Sequence, residues 1–163
     1  MSYNVPLNFD LAGKTAVVTG GGGVLCSGFS KTLAAAGARV AVCDLRLEAA
    51  EKVAEDIRAN GGDAIAVAMN VLDKKSVEEA RDAICKKYDK VDILLNGAGG
   101  NNPKGSTTRD NLTPDEIAEL DANGTIEGVK TFFDLDPDGI SFVFNLNFLG
   151  TLIPTQVFAR DMA

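Results

Sequence analysis

The 163-residue sequence contains no histidine. That removes Ser-His-Asp hydrolysis, metal sites built on imidazole, and the commonest general base in proteins. Cysteine is scarce. Cys26, Cys43 and Cys85 are an odd number without C-x-x-C spacing, which argues for reduced thiols in the core and against a disulfide or zinc framework. Cys26 is the partial exception, because a helix N-terminus can lower a thiol pKa. Positive charge is in deficit. At a net charge of -7 the chain repels polyanions, so nucleic acid is not an expected partner. No unbroken apolar run approaches the roughly 18 to 20 residues of a membrane span, and Met1 to Asp10 lacks the basic start and apolar centre of a signal peptide. No membrane partner is therefore expected, and the cytoplasm is the expected location.

What is present is 45% hydrophobic residues, enough for a core in one domain spanning 1–163. The chain is organised around Lys14 to Gly28, KTAVVTGGGGVLCSG. Lys14 to Thr19 has the β-branched density of a buried strand. Leu25 to Ala36 reads as a helix, with Leu25, Phe29, Leu33 and Ala36 close to one face. The glycines between them leave no side chain between backbone and ligand, and the first amides of a helix lack internal partners at its positive dipole end. Such a join is a seat for a phosphate. Gly20 and Gly22 fit a loose G-x-G-x-x-G in which the third glycine is Leu25. Asp44 closes the next strand, where a carboxylate can accept both ribose hydroxyls or, alternatively, cap the helix that begins at Leu47.

Gly37 ends the first helix and Ala38 to Asp44 forms the second strand. Leu47 to Asn60 carries Leu47, Ala50, Val53, Ala54 and Ile57 on one stripe. Ala64 to Met69 is a third strand. Asp73 to Tyr88 is a third helix with Val77, Ala80, Ile84 and Tyr88 inward, and Val91 to Leu95 is a fourth strand. Strands alternating with helices predict an α/β fold with a parallel sheet and right-handed crossovers. Ligands in such sheets bind at the carboxyl ends of the strands. Thr19 to Gly23, Asp44, Asn70 and Asn96 to Gly100 occupy those four ends and converge on one crevice.

TGGGGVLC after the first strand, CD at the end of the second, MNVLD after the third, LLNGAGG after the fourth and FNLNFLGT further on resemble the short-chain dehydrogenase/reductase family. The resemblance covers essentially the whole chain. The wording GGGGVLC, NGAGGNNP and KTFFDLDPDG is most similar to the branch of D-mannonate oxidoreductase or fructuronate reductase, which acts on sugar acids. It implies a Rossmann-type doubly wound parallel sheet holding NAD(P). It also implies that Gly20, Gly22, Gly23 and the backbone at Leu25 surround the pyrophosphate, and that Asp44 holds the adenosine ribose. Asn70 and Val71 would flank the adenine, and Asn96, Gly97, Ala98 and Gly99 would support the central strand and the nicotinamide side. Asn147 matches the active-site asparagine. There are departures. The family pattern T-G-x-x-x-G-x-G has Val24 and Cys26 at its last two glycine positions, N-N-A-G is Asn96-Gly97-Ala98-Gly99, and Asn70 replaces an aspartate. A carboxylate at Asp44 repels a 2'-phosphate and bonds a free 2'-hydroxyl, which favours NAD over NADP, with Arg46 partly offsetting the preference.

The connection 101–136 is too long for an ordinary loop and is expected to be an inserted substrate lid. Within it, Thr113 to Leu120 reads as a short helix with Pro114 at its first position. Asn101, Asn102, Lys104, Ser106, Thr107, Thr108 and Arg109 suit a polyhydroxy carboxylate. Asp134, Asp136, Asp138 and Gly139 match the start of a calcium loop, but its twelfth residue would be Asn145, so helix caps are the better account and no metal is expected. Ile140 to Met162 reads as helix, broken near Gly150 and restarted around Pro154.

The family's active-site serine and Tyr-x-x-x-Lys pair would follow Ala163. Tyr3 is followed four places on by Leu7, and Tyr88 by Asp92. The expectation is an NAD-dependent sugar-acid oxidoreductase whose fragment 1–163 is inactive alone; the alternative is a non-catalytic dinucleotide-binding or regulatory module. About half of a doubly wound sheet is present. The fourth strand should keep an open edge and the helices after Ile140 an unpartnered apolar face, so a homo-oligomer is expected.

Overall fold

The computed structural model describes residues 9–163, so most of the lead-in expected over Met1 to Gly13 lies outside the described residues. Four parallel strands form one sheet in the order β3-β2-β1-β4. They are β1 Thr15–Thr19, β2 Arg39–Asp44, β3 Asp63–Ala68 and β4 Ile93–Leu95. β1 is buried along its whole length, as its β-branched sequence TAVVT requires of a central strand. The register aligns the carboxyl ends: Thr19 lies beside Cys43, and Asp44 beside Ala68.

Alternate residues serve two cores. Ala16, Val18, Val40 and Val42 face α1 Val24–Ala35 and α2 Leu47–Ala59, meeting Ala34, Ala54 and Ile57. Val17, Ala41 and Cys43 face α3 Lys74–Tyr88 and α6 Gly150–Met162, meeting Val77, Ile84 and Phe158. This is the two-faced winding of the Rossmann type, with β4 at an edge.

The expected buried face of α1 is corrected. Cys26, Ser30 and Ala34 point inward, while Leu25 is 76% and Phe29 49% exposed. The glycine turn brings the start of α1 so close to the strand ends that only small side chains fit beneath it. Leu47 is likewise exposed, although Ala50, Val53, Ala54 and Ile57 of α2 are buried as expected. Gly37 stops α1 at φ +95°, with its N–H donating to Ala34 O and the N–H of Ala38 to Leu33 O. These two bonds form a Schellman turn, for which a residue with positive φ is needed.

Residues 101–136 contain α4 Pro114–Asn123, closed by a capping box between Thr113 and Glu116. The neck of the excursion is tied. Asp136 N donates to Lys104 O at 3.1 Å, Thr108 N donates to Lys130 O at 3.1 Å, and a Cβ on Gly139 would lie 2.5 Å from Gly105 N. Asp134 accepts from Thr131, and Asp136 caps α5 Pro137–Phe144 by accepting from Asp138 N.

The break expected near Gly150 is also corrected. A π turn at Asn145–Leu149 joins α5 to α6, and Pro154 sits inside α6 rather than restarting a helix. Gly150 is where the helix meets the loop after β3, since a Cβ there would lie 3.0 Å from Val71 Cγ2. The joined run Pro137–Met162 is long and apolar enough to cross a membrane by length and composition, which the search for an unbroken apolar run passed over. Here Pro154, Val157 and Phe158 are buried, and Arg81 grips Asp161 with two hydrogen bonds of 2.6 and 3.0 Å. Phe142, Phe144 and Phe148 remain exposed.

Candidate functional site

The turn after β1 and the loop after β4 are built against each other. Gly20 has φ +64°, and a Cβ on it would lie 2.9 Å from Ala98 Cα, so both its conformation and its neighbour demand glycine. Thr19 Oγ1 accepts the N–H groups of Gly97 and Ala98, each at 3.0 Å. Asn147 grips the next peptide: its Oδ1 accepts from Gly100 N at 3.2 Å, and its Nδ2 donates to Gly100 O and Val143 O at 2.8 Å. The π turn supplies this reach, since an extra residue in the helical turn swings the amide toward the loop.

Asp44 ends β2 with 9% of its surface exposed. Its Oδ2 accepts from Gly22 N at 3.1 Å and its Oδ1 from Arg46 N at 3.0 Å. The carboxylate ties down the turn before α2 without capping that helix, whose N-cap is Arg46, and it faces the space beside the glycines. The start of α1 has no side-chain cap and no acid in its first turn. Its unpaired amides give that end a positive partial charge.

An open cleft of about 590 Å³ runs along these strand ends. Gly20, Gly23 and Leu25 line it from the first turn, Asp44, Asn70 and Val71 from the second and third, and Asn96, Gly97 and Ala98 from the fourth. Gly22 stands behind the wall, donating to Asp44 and packed so that a Cβ would lie 2.7 Å from Ala49 Cβ. Asn147 is also outside the lining, acting on the loop from behind. Sequence reasoning missed Phe29, Leu45 and Leu146 as lining residues, and Thr19 as the tie between loops. Leu45, an apolar residue just past a strand end, carried a readable signal; Phe29 and Leu146 depend on helix rotation and on the π turn.

Asn70 Oδ1 accepts from Leu72 N at 3.1 Å. Asn96 Nδ2 donates to Thr155 Oγ1 at 3.0 Å, while its Oδ1 is buried without a hydrogen-bond partner among the described residues. The Cys26 thiol is pushed up by burial and then by the Asp44 charge, the reverse of the helix-start expectation. Burial, with Asp44 again second, pushes Cys43 up to about 12. Neither is a thiolate near neutrality. Tyr88 sits at the far end of the sheet, its hydroxyl donating to Asp63 Oδ1 at 2.8 Å, and its pKa is raised by burial and then by that bond. Tyr3 lies outside the described residues. Among the described residues no three metal-binding side chains cluster.

A positive helix start, a carboxylate fixed at one rim and apolar walls suit a ligand with an anionic centre, hydroxyls and a flat ring. A family model described as short chain dehydrogenase matches residues 14–163. An "Uncharacterized oxidoreductase" of Haemophilus influenzae is 50% identical over 99% of this chain and 53% of its own length. The "Uncharacterized oxidoreductase UxuB" of Bacillus subtilis is 42% identical over 97% of this chain and 53% of its own. The crystal structure of a "putative D-Mannonate oxidoreductase" from Haemophilus influenza with bound NAD superposes with a TM-score of 0.85 at 48% identity, covering 95% of this chain and 52% of that one. The chain spans about half the length of these relatives. From the family match over nearly its whole length, the chain belongs to the short-chain dehydrogenase family.

Proposed function

We propose that this chain is the dinucleotide-binding part of an NAD-dependent oxidoreductase acting on a sugar acid, interconverting hydroxy and keto forms. The observation that carries this reading is Asp44, buried at the cleft rim with both oxygens oriented by backbone N–H groups. A carboxylate so placed accepts ribose hydroxyls and disfavours a 2'-phosphate, hence NAD over NADP. Arg46 follows it on the exposed side and weakens that preference without reversing it.

The uncapped start of α1, with Gly20, Gly23 and the backbone at Leu25, takes the diphosphate, and Gly22, expected to join them, instead holds Asp44 from behind the wall. Asn70, Val71 and Leu45 enclose the adenine. Asn96, Gly97 and Ala98 floor the nicotinamide side, and Asn147 holds that floor through Gly100. NAD itself supplies the hydride acceptor. Residues 101–136 cover the substrate; Gly100 leads straight into them, and hydrogen bonds across their neck hold its two ends together. Lys104, 70% exposed and in a long ion pair of 3.7 Å with Asp136, is the cation there most easily released to meet a substrate carboxylate. Arg109 is paired with Glu116, and Lys130 Nζ donates to Pro103 O at 2.7 Å.

No Tyr-x-x-x-Lys pair occurs in these 163 residues, and Tyr88 is buried at the opposite end of the strands from the cleft. Purified 1–163 should bind NADH but give no steady oxidation of hexonates such as D-mannonate when NADH formation is followed. A chain extended to the length of its relatives should turn over. Steady turnover by 1–163 alone, or none by the extended chain with any hexonate or keto-hexonate, would contradict the proposal.

A further inference from the structure

Two departures from the family patterns fall on residues that touch. Cys26 stands at the last glycine of T-G-x-x-x-G-x-G, and Gly97 at the second asparagine of N-N-A-G. A Cβ at position 97 would lie 2.2 Å from Cys26 Sγ and 2.9 Å from Thr19 O, so the thiol is the nearer of two atoms that leave no room for a side chain there. Cys26 is 7% exposed, and its thiol donates to Gly97 O at 3.6 Å. The other end of residue 97 is already held, because Gly97 N donates to Thr19 Oγ1 at 3.0 Å. Both residues line the cleft, where the start of α1 meets the loop after β4.

We propose that Cys26 is a positioning residue of the dinucleotide cleft: from the helix it fills the space that a side chain at position 97 would fill from the loop, and it fixes the Gly97 carbonyl. Bulk is exchanged across the contact rather than lost. A packed interior tolerates neither two side chains in that space nor an empty gap, so the two positions are energetically coupled. The raised thiol pKa suits this role, since only the protonated sulfur donates to a carbonyl. The functional half of the proposal rests on the NAD reading above. The packing half does not.

The test is a cycle of C26G, G97A and C26G/G97A, with C26S beside it, read by NADH titration followed through its fluorescence and by thermal midpoint. G97A should weaken NADH binding by about tenfold or more and lower the midpoint, a loss typical of residues in contact. C26G should weaken binding by leaving the gap, and C26S should regain most of that loss. The double variant should recover part of both readings, limited by Thr19 O, which lies 2.9 Å from the added Cβ. If G97A does not fold, a folded double variant still supports the pairing. Additive losses, an unfolded double variant, or wild-type NADH affinity in C26G would overturn it. If the parent chain binds no NADH, the cofactor reading fails and the midpoints alone decide the pairing.

Discussion

Asp44 holds two backbone N–H groups while facing the cleft, so its replacement tests both of its duties. Asp44→Ala should weaken NADH binding by about tenfold to a hundredfold, the loss of one or two charge-assisted hydrogen bonds. It should weaken NADPH binding less, and equal losses in calorimetric titrations would argue against a ribose contact. Asp92 gives a pH prediction at the other end of the sheet. The Thr15 N–H, at 3.0 Å, and then Lys90 hold its carboxyl down at about 2. In an unfolded chain the value is about 3.9, so the folded state favours the charged form. That contribution is full above about pH 4 and is lost as the pH falls toward 2. Asp92→Asn should flatten the fall in urea-unfolding stability across this window, and an unchanged slope would exclude Asp92 as its source. The site residues carried by glycine, aspartate and asparagine at strand ends were legible in the sequence, because turns need those residue types. The tie made by Thr19 and the contact of Cys26 with Gly97 were not, because both depend on a loop 71 to 79 residues away in the chain.

The strands and first three helices were legible within a residue or two, because apolar period and glycine stops point the same way there. Helix α1 shows the limit. The first half of its most apolar stripe, Leu25 and Phe29, faces the cleft while Leu33 packs on the core, and the residues buried beneath the helix are the small Cys26, Ser30 and Ala34. The π turn was equally hidden, since Asn145–Leu149 reads as ordinary helix and only the grip of Asn147 on Gly100 shows what the extra residue does. Gly37 was legible, and it is a sharp test of the turn it makes. Its φ of +95° and the 3.2 Å from an added Cβ to Ala12 N leave an alanine strained on both counts. Gly37→Ala should cost about 1–2 kcal/mol in urea unfolding, the penalty of left-handed backbone for a residue with a Cβ. Neutral or stabilising behaviour would contradict the backbone described.

At the scale of the molecule, the sheet ends at β4 and the aromatic face of α5 and α6 is uncovered, with Phe144 69% and Phe148 64% exposed. Large exposed apolar faces associate, so 1–163 should scatter light as more than one chain at micromolar concentration. Phe144→Glu with Phe148→Glu should shift it toward the single chain, and a monodisperse parent monomer would contradict this. The open edge was legible from a count of strands. That α5 to α6 forms one long helical run was not, since Gly150 and Pro154 read as breakers and the structure carries both within it. The central claim concerns the whole cleft: four strand ends assembled for an adenine dinucleotide without a 2'-phosphate. The direct measurement is parallel calorimetric titration of 1–163 with NADH and NADPH. Saturable binding of one NADH per chain, tighter than NADPH, is the predicted result; no binding of either, or tighter NADPH, would contradict it.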